Sequence, residues 1–368
     1  MTNVAARVER VPRACFWEIT DACNLRCIHC EADAGHRDPA ELTTQEAIDL
    51  AGDLAAAGCA SVNLTGGEPL LRRDWPLIAR ALADRGVEVT VITNGLLVSE
   101  ARISRMIDAG VTGAAVSLDG LRDAHDTIRV PAAPRRGKRS CFGDAMRAID
   151  RLAASPLRTA VITQVHKRNI DDLEAMHDVL AGRGVDVWQV QLAMPLGRLW
   201  RIRFDYLLDP RQLPELTARL ARLVRSGRLR IAVADNIGYY SREEPVLRGS
   251  LRGTQSFWVG CLAGCRVVAI CSNGDVKGCP SHPKQFVVGN VRERRFAEIW
   301  ADPRGGFDYN TAWDEDLLEG GCRKCAFRRL CRAGCTTMAF GATGTIYDNP
   351  FCVQRSLENS RACPEKKC

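Results

Sequence analysis

The chain has 368 residues, 51 Lys and Arg against 44 Asp and Glu, a net charge of +7 and 46% hydrophobic residues, which suggests one large domain with an appendage, or two domains, and argues against wholesale disorder. No apolar run approaches the roughly 20 residues of a membrane span, and the opening stretch MTNVAARVERVPR lacks a signal-peptide core, so a cytoplasmic protein without a membrane partner is expected. The charge is modest for this size, and basic runs such as RRGKR at 135–139 read as solvated loops rather than a nucleic-acid footprint.

From residue 14 to about 195, charge-poor β-branched runs alternate with amphipathic stretches. Strands are predicted at 14–20, 61–65, 88–93, 113–118, 159–165 and 187–193, with the texture of strands covered on both faces. Between them, Thr43 with Glu46 three residues on gives a capping-box pattern, and Ala47, Ile48, Ala51, Leu54 and Ala55 share one helical face. Further helices are predicted near 75–84, 99–109, 142–154 and 171–183. Six β/α units in series call for a parallel sheet with right-handed crossovers. Periodicity alone leaves an open partial barrel and a doubly wound sheet in play; either places its site at the carboxyl ends of the strands. Residues 196–255 read as a transition with a helix at about 211–226. From 256 onward strands become sparse and turn pairs frequent. A segment so poor in regular structure needs staples, and metal clusters supply them.

Seventeen cysteines are the anomaly. A reducing compartment keeps thiols from pairing, so dense groups there point to metal or redox chemistry. They gather at 23–30, 261–279 and 322–352, while Cys15, Cys59, Cys141, Cys363 and Cys368 are scattered and read as structural. Cys23, Cys27 and Cys30, in DACNLRCIHC, follow directly after the first strand. Three thiolates in one loop can hold three irons of a 4Fe–4S cluster and leave the fourth iron open to a chelating ligand, since full ligation takes four. Zinc would want a fourth Cys or His nearby, and His29 lies inside the cysteine cage, where geometry disfavours its joining.

CNLRCIHC resembles the three-cysteine signature of radical SAM enzymes, in which the amino and carboxylate groups of S-adenosylmethionine chelate the open iron. TGGEP (65–69) follows the second strand as that family's GGEP motif does, TNG (93–95) ends the third, and SLDG (117–120) with HDTIR (125–129) follows the fourth. The resemblance implies a partial, open (β/α)6 TIM-like barrel. Its S-adenosylmethionine site would draw on Gly66, Gly67, Glu68 and Pro69, with Glu68 accepting from the methionyl ammonium, and on Asn94, Ser117, Asp119 and Asn169. The later cysteines resemble the SPASM extension of such enzymes, which binds two auxiliary 4Fe–4S clusters. By that analogy one cluster takes Cys261, Cys265, Cys279 and Cys335, with Cys271 the competitor for the place of Cys265; the other takes Cys322, Cys325, Cys331 and Cys352. Cys271 itself sits in the apolar run VVAIC, where a buried structural thiol is the default. The organisation implied is an N-terminal segment (1–13), a radical SAM core (14–200), a bridging region (201–255), a SPASM domain (256–355) and a C-terminal tail (356–368).

The chemistry implied is reductive cleavage of S-adenosylmethionine to a 5′-deoxyadenosyl radical, which abstracts hydrogen from a substrate. Enzymes that look like this mostly modify ribosomally made peptides, by crosslinking or oxidation, so a peptide substrate is expected, with a reductant such as flavodoxin or ferredoxin. The first strand begins by about residue 14, leaving no room for a leader-gripping winged helix; a separate peptide-recognition protein, or the barrel and tail directly, would then select the substrate. Alternatives are cofactor- or haem-type biosynthesis on a small molecule, and a non-catalytic iron–sulfur electron carrier. A sulfatase maturase is disfavoured because Pro280 follows Cys279 where that branch carries an aspartate. Paired zinc knuckles would explain the tail's thiol pairs but not their company with this core. Met194, at the end of the sixth strand, reads as a core residue.

Overall fold

The computed structural model describes residues 10–134, 140–252, 257–302 and 305–362; the basic run 135–139 and Cys363 and Cys368 lie outside the described residues. Ten strands form one sheet: β1 (Ala14–Thr20), β2 (Ser61–Gly66), β3 (Glu88–Thr93), β4 (Val111–Ser117), β5 (Arg158–Val165), β6 (Val187–Leu192), β7 (Ile231–Val233), β8 (Val267–Ile270), β9 (Asp275–Lys277) and β10 (Gly289–Asn290). Their order is β10-β9-β8-β1-β2-β3-β4-β5-β6-β7, so the sheet curves without closing. Every pairing from β8 round to β7 is parallel, while β9 and β10 return antiparallel at the edge. The crossovers carry helices α1 (Thr44–Ala56), α2 (Trp75–Ala83), α3 (Glu100–Asp108), α4 (Arg122–Ile128), α5 (Cys141–Ala153) and α6 (Leu173–Ala181). This is the expected open barrel, with a strand added at each side.

Both additions correct the reading from sequence. β7 lies in the stretch taken as a transition, and β8 is the apolar run VVAI, taken as tail. Three and four residues carry too little periodicity to announce a strand. β8 is held by register instead: Ala14 pairs with Ser61 on one side and with Val267 on the other. The first segment of the cysteine-rich region is therefore hydrogen-bonded into the barrel.

Alternation along β1 shows how the sheet divides its faces. Cys15, Trp17 and Ile19 point outward under the helices and are fully buried, worth roughly 2–3 kcal/mol for each large apolar side chain. Phe16 and Glu18 point inward to a lumen of about 580 Å³ of mixed polar and apolar lining, shared with Asn63, Thr65 and Gln164. The capping box of α1 forms as its sequence asks, with Glu46 N donating to Thr43 Oγ1 (3.3 Å) and Thr43 N to Glu46 Oε2 (2.7 Å). Arg292 of the tail reaches back to the same carboxylate at 2.6 and 2.8 Å. Exposed pairs of this kind contribute at most about 1 kcal/mol, so the ladder between β8 and β1 is the stronger tie between tail and barrel.

Candidate active site

The chain leaves β1 through a loop, residues 21–35, that carries Cys23, Cys27 and Cys30. Its shape is set by its neighbours. Arg26 N donates to Val130 O (2.7 Å), Ile28 N to Ile128 O (3.0 Å) and Gly35 N to Asp21 O (2.7 Å). Arg198, beyond β6, clamps the loop from outside, its Nε donating to Cys27 O (2.8 Å) and its N to Cys30 O (3.0 Å). Leu25 N donates to Cys23 Sγ (3.4 Å), an N–H···S bond of the kind that tunes an iron-bound thiolate. Burial raises the Cys23 thiol and pushes Cys27 up to about 12. The protein thus does little to ionise these thiols, and bound iron would supply that drive.

The GGEP stretch lies against this loop. At Gly66, with φ +129°, an added Cβ would stand 2.2 Å from Thr20 O; at Gly67 it would stand 2.3 Å from Ala22 O. Glycine is needed there because the end of β2 runs backbone to backbone along the exit of β1. Glu68 is fully buried. Its Oε2 accepts from Asn94 N (2.8 Å) and its Oε1 from Thr93 Oγ1 (2.8 Å) and Leu70 N (3.2 Å). The carboxylate expected to meet an ammonium therefore ties the end of β2 to the end of β3. Pro69 opens a short 3-10 turn directly after it. Asn94 donates to Asn24 Oδ1 (2.7 Å) and borders the cleft. Asn169 lies beneath it: its Oδ1 accepts from His166 N and its Nδ2 donates to Gln164 O, both at 2.8 Å, closing the turn after β5.

Asp119 anchors an arrangement that the sequence did not announce. Fully buried, it accepts from Arg129 Nε (2.7 Å), His29 Nε2 (3.1 Å) and Gln164 N (2.8 Å). Burial opposes its charge, but Arg129 and then His29 outweigh burial and hold its carboxyl well below the usual range. His29, between two of the cysteines, is thereby turned toward the barrel. Arg129 sat in the quoted HDTIR run without a role; what joins it to His29 is a fold-level contact.

These parts frame a cleft of about 220 Å³ at the strand ends. Cys23, Cys27 and Cys30 form one wall, and Gly66, Gly67, Asn94 and Ser117 face them; Pro280 and Ser281 of the tail also border it. Three thiols beside strand ends rich in polar groups suit a cluster with one open iron and a zwitterionic nucleotide on it. Glu18, Glu31 and Gln164, which the sequence reading did not select, also line this space.

The tail groups its cysteines in two sets. Burial, then the nearby thiols of Cys352, Cys322 and Cys325, push Cys331 well above the ordinary thiol range. Cys335 is raised in the same way by burial and by Cys261 and Cys279, and Cys265 lies near Cys261. Cys271 instead neighbours Glu18 and Lys277. Asn349 N donates to Cys322 Sγ and Phe327 N to Cys325 Sγ, each at 3.4 Å. Among the described residues no three His, Cys, Asp or Glu converge closely enough to hold a single metal ion; a four-iron cluster calls for a wider cage. Trp258 Nε1 donates to Cys331 O (3.1 Å), and Tyr240 stacks on Phe327 at 4.3 Å. Cys331→Ala should therefore release about one cluster of iron and lower the melting temperature by roughly 5 °C or more. Parent-like iron content and melting would overturn this ligand assignment.

The Radical SAM superfamily model matches residues 17–180 and the iron–sulfur cluster-binding SPASM model matches residues 261–326. The chain is 31% identical over 380 residues to the mycofactocin maturase MftC of Mycolicibacterium smegmatis, covering 96% of this chain and 87% of that protein. It is 29% identical over 354 residues to the AdoMet-dependent heme synthase of Methanosarcina barkeri, covering 94% and 97%. Among solved structures, anSMEcpe with bound AdoMet superposes with a TM-score of 0.72 at 15% identity, covering 94% of this chain and 95% of that one. Streptococcus suis SuiB bound to S-adenosylmethionine gives 0.70 at 15% identity, covering 92% and 76%. No helix among the described residues is long and apolar enough to cross a membrane. Sharing nearly its whole length with MftC at 31% identity, and matching both models in the order its motifs run, the chain belongs to the radical SAM superfamily as a SPASM-bearing enzyme that works with 4Fe–4S clusters and S-adenosylmethionine.

Proposed function

We propose that this enzyme modifies a ribosomally made peptide, forming a crosslink or oxidising a residue, and that the peptide enters between the barrel mouth and the tail. The observation that carries this reading is the charge of the entrance. A cavity of about 330 Å³ beside the cleft is lined by six carboxylates, Glu18, Asp21, Glu31, Asp33, Asp38 and Asp275, and by two lysines, Lys277 and Lys284. Lys277 is already engaged, 3.7 Å from Glu18 and donating to Pro280 O at 2.9 Å. Burial raises Asp21, with Glu18, Asp38 and Glu41 adding repulsion; burial also raises Glu31. A ligand with several carboxylates would meet like charge here, whereas a peptide with neutral or basic residues would not.

When bound, the cluster and S-adenosylmethionine supply a radical able to take hydrogen from an unactivated C–H bond. The chain's own residues orient and shield. Asp119 fixes His29 and Arg129, Arg198 clamps the cysteine loop, Glu68 joins two strand ends under the cleft, and Pro280 and Ser281 border it from the tail, restricting water. Cys23, Cys27 and Cys30 would hold the first cluster; Cys261, Cys265, Cys279 and Cys335, and Cys322, Cys325, Cys331 and Cys352, would hold the auxiliary pair.

Two solved neighbours hold a peptide, SuiB bound to the precursor peptide SuiA and anSMEcpe bound to the Cp18Cys peptide, which supports the reading. The heme-synthase relatives favour a second one, a small tetrapyrrole substrate. Coexpression with any short peptide encoded beside the gene, followed by mass spectrometry, tests the first; incubation with iron-coproporphyrin III tests the second. A peptide that loses hydrogen mass, with the porphyrin unchanged, is expected. Decarboxylated porphyrin with no peptide product would reverse the assignment. Neutralising the entrance by Asp21→Asn with Asp38→Asn should raise KM for a basic peptide roughly tenfold, leaving S-adenosylmethionine cleavage without substrate within about twofold. An unchanged KM would remove the entrance from recognition.

A further inference from the structure

The segment after β6 has an outer face that the mechanism leaves unused. Trp200 is 45% exposed and Phe204 75% exposed, and the Arg203 guanidinium is sandwiched between them, 3.8 and 4.4 Å from the two rings. Lys167, Arg168 and Arg201 are exposed on this segment and the turn after β5, with Asp205 exposed beside them and Asp209 near Lys167. Lys167 Nζ donates to Phe204 O (2.6 Å), and Arg168 lies 4.8 Å over the ring of Tyr206. Large aromatics left in water beside arginines are the composition of an interface centre rather than of an ordinary loop.

The underside of this face is the cysteine loop. Gly197 packs so closely that an added Cβ would stand 2.2 Å from Cys30 O. Arg198 donates to Cys30 O from its backbone and to Cys27 O from its side chain. Ile28, between those cysteines in sequence, packs with Leu199, Ile202 and Tyr206, the chain neighbours of the aromatic pair, in one apolar cluster. A partner seated on Trp200 and Phe204 would thus sit on the segment whose own Gly197 and Arg198 touch Cys30 and Cys27.

We propose that this face docks a small acidic protein carrying a single low-potential electron, and that it is where the first cluster is reduced. The carrier is oxidised by one electron and the cluster is reduced by one; no bond forms or breaks. Charge decides among occupants: Lys167, Arg168, Arg201 and Arg203 outnumber the carboxylates Asp205 and Asp209, the latter already paired with Arg211, which selects an acidic surface, and a carrier must engage and leave on every turnover. Interfaces of that transient kind are small, below about 1,200 Å², so two aromatic anchors ringed by cations suffice, and the attraction weakens with salt. The inference needs the radical SAM cluster but not the peptide, so it stands or falls apart from the substrate assignment.

The test uses the reconstituted holoenzyme and a bacterial flavodoxin. Trp200→Ala with Phe204→Ala should weaken binding of oxidised flavodoxin about tenfold and slow 5′-deoxyadenosine release driven by reduced flavodoxin to the same degree. The same release driven by dithionite should stay within about twofold of the parent. Arg168→Glu with Arg201→Glu, which keeps Trp200 and Phe204, should give the same pattern and flatten the salt dependence of binding. Parent-like flavodoxin affinity in both variants overturns the proposal. So does a parallel fall in dithionite-driven release, which would make the face a support for the cysteine loop. Loss of peptide binding with flavodoxin binding intact would assign the face to the substrate instead, and equally overturns it.

Discussion

Replacing Cys23, Cys27 and Cys30 together with alanine will take S-adenosylmethionine cleavage below detection and lower iron by about one four-iron cluster in three, while leaving the fold in place. The loss follows from ligand count: no other cysteine of the described residues borders the cleft those three line. Retention of the fold follows from what else holds the loop. Its backbone is bonded to residues 128 and 130, Arg198 clamps Cys27 O and Cys30 O, and His29 is fixed by Asp119. None of these contacts needs iron. The tail cysteines sit in their own two sets and should keep their clusters. Iron analysis, circular dichroism and an assay for 5′-deoxyadenosine decide the matter together. Unchanged iron would place the first cluster elsewhere, and loss of all three clusters would show that the loop organises the tail.

How far such a site can be read from sequence depends on the range of the contacts. β1 to β6 were legible because each is a contiguous apolar run bounded by turns, and Thr43 with Glu46 marked α1 through contacts three residues apart. β7 and β8 were not: they are too short to show a period, and β8 becomes a strand because β1 offers it an edge on one side and β9 pairs with it on the other. The radical SAM and SPASM resemblance was legible because those motifs occur as short patterns in a fixed order. Placement was another matter. Glu68 and Asn169 appeared in motif order as ligand contacts, and that order gave no sign that both side chains also tie strand ends together, Glu68 through Asn94 N and Thr93 Oγ1 and Asn169 through His166 N and Gln164 O. Arg198 had only its position at the end of β6 to suggest a role. No local pattern in the cysteine loop betrays that His29 turns inward to a carboxylate beyond β4.

That carboxylate carries the largest predicted effect on stability. Asp119→Ala should cost about 3–5 kcal/mol, because it leaves the Arg129 charge buried without its partner. It also strands His29 Nε2 and Gln164 N, donors that Asp119 now accepts from. The sign of the pH dependence follows from the direction of the shift. The folded carboxyl titrates below its unfolded value, so the stabilisation is fully present above the unfolded pKa, near 4, and is lost only as pH falls through the lower folded one. The gap in melting temperature between parent and variant should therefore stay constant from pH 8 down to about pH 5 and close only in stronger acid. Because Asp119 also orients the histidine between Cys27 and Cys30, the variant that does fold should reconstitute its first cluster poorly while its tail clusters load normally. Asp119→Asn separates the two roles: it keeps an acceptor for Gln164 N but removes the charge facing Arg129. If Asp119→Asn melts with the parent, the ion pair contributes little, and the hydrogen bonds alone hold the strand ends together.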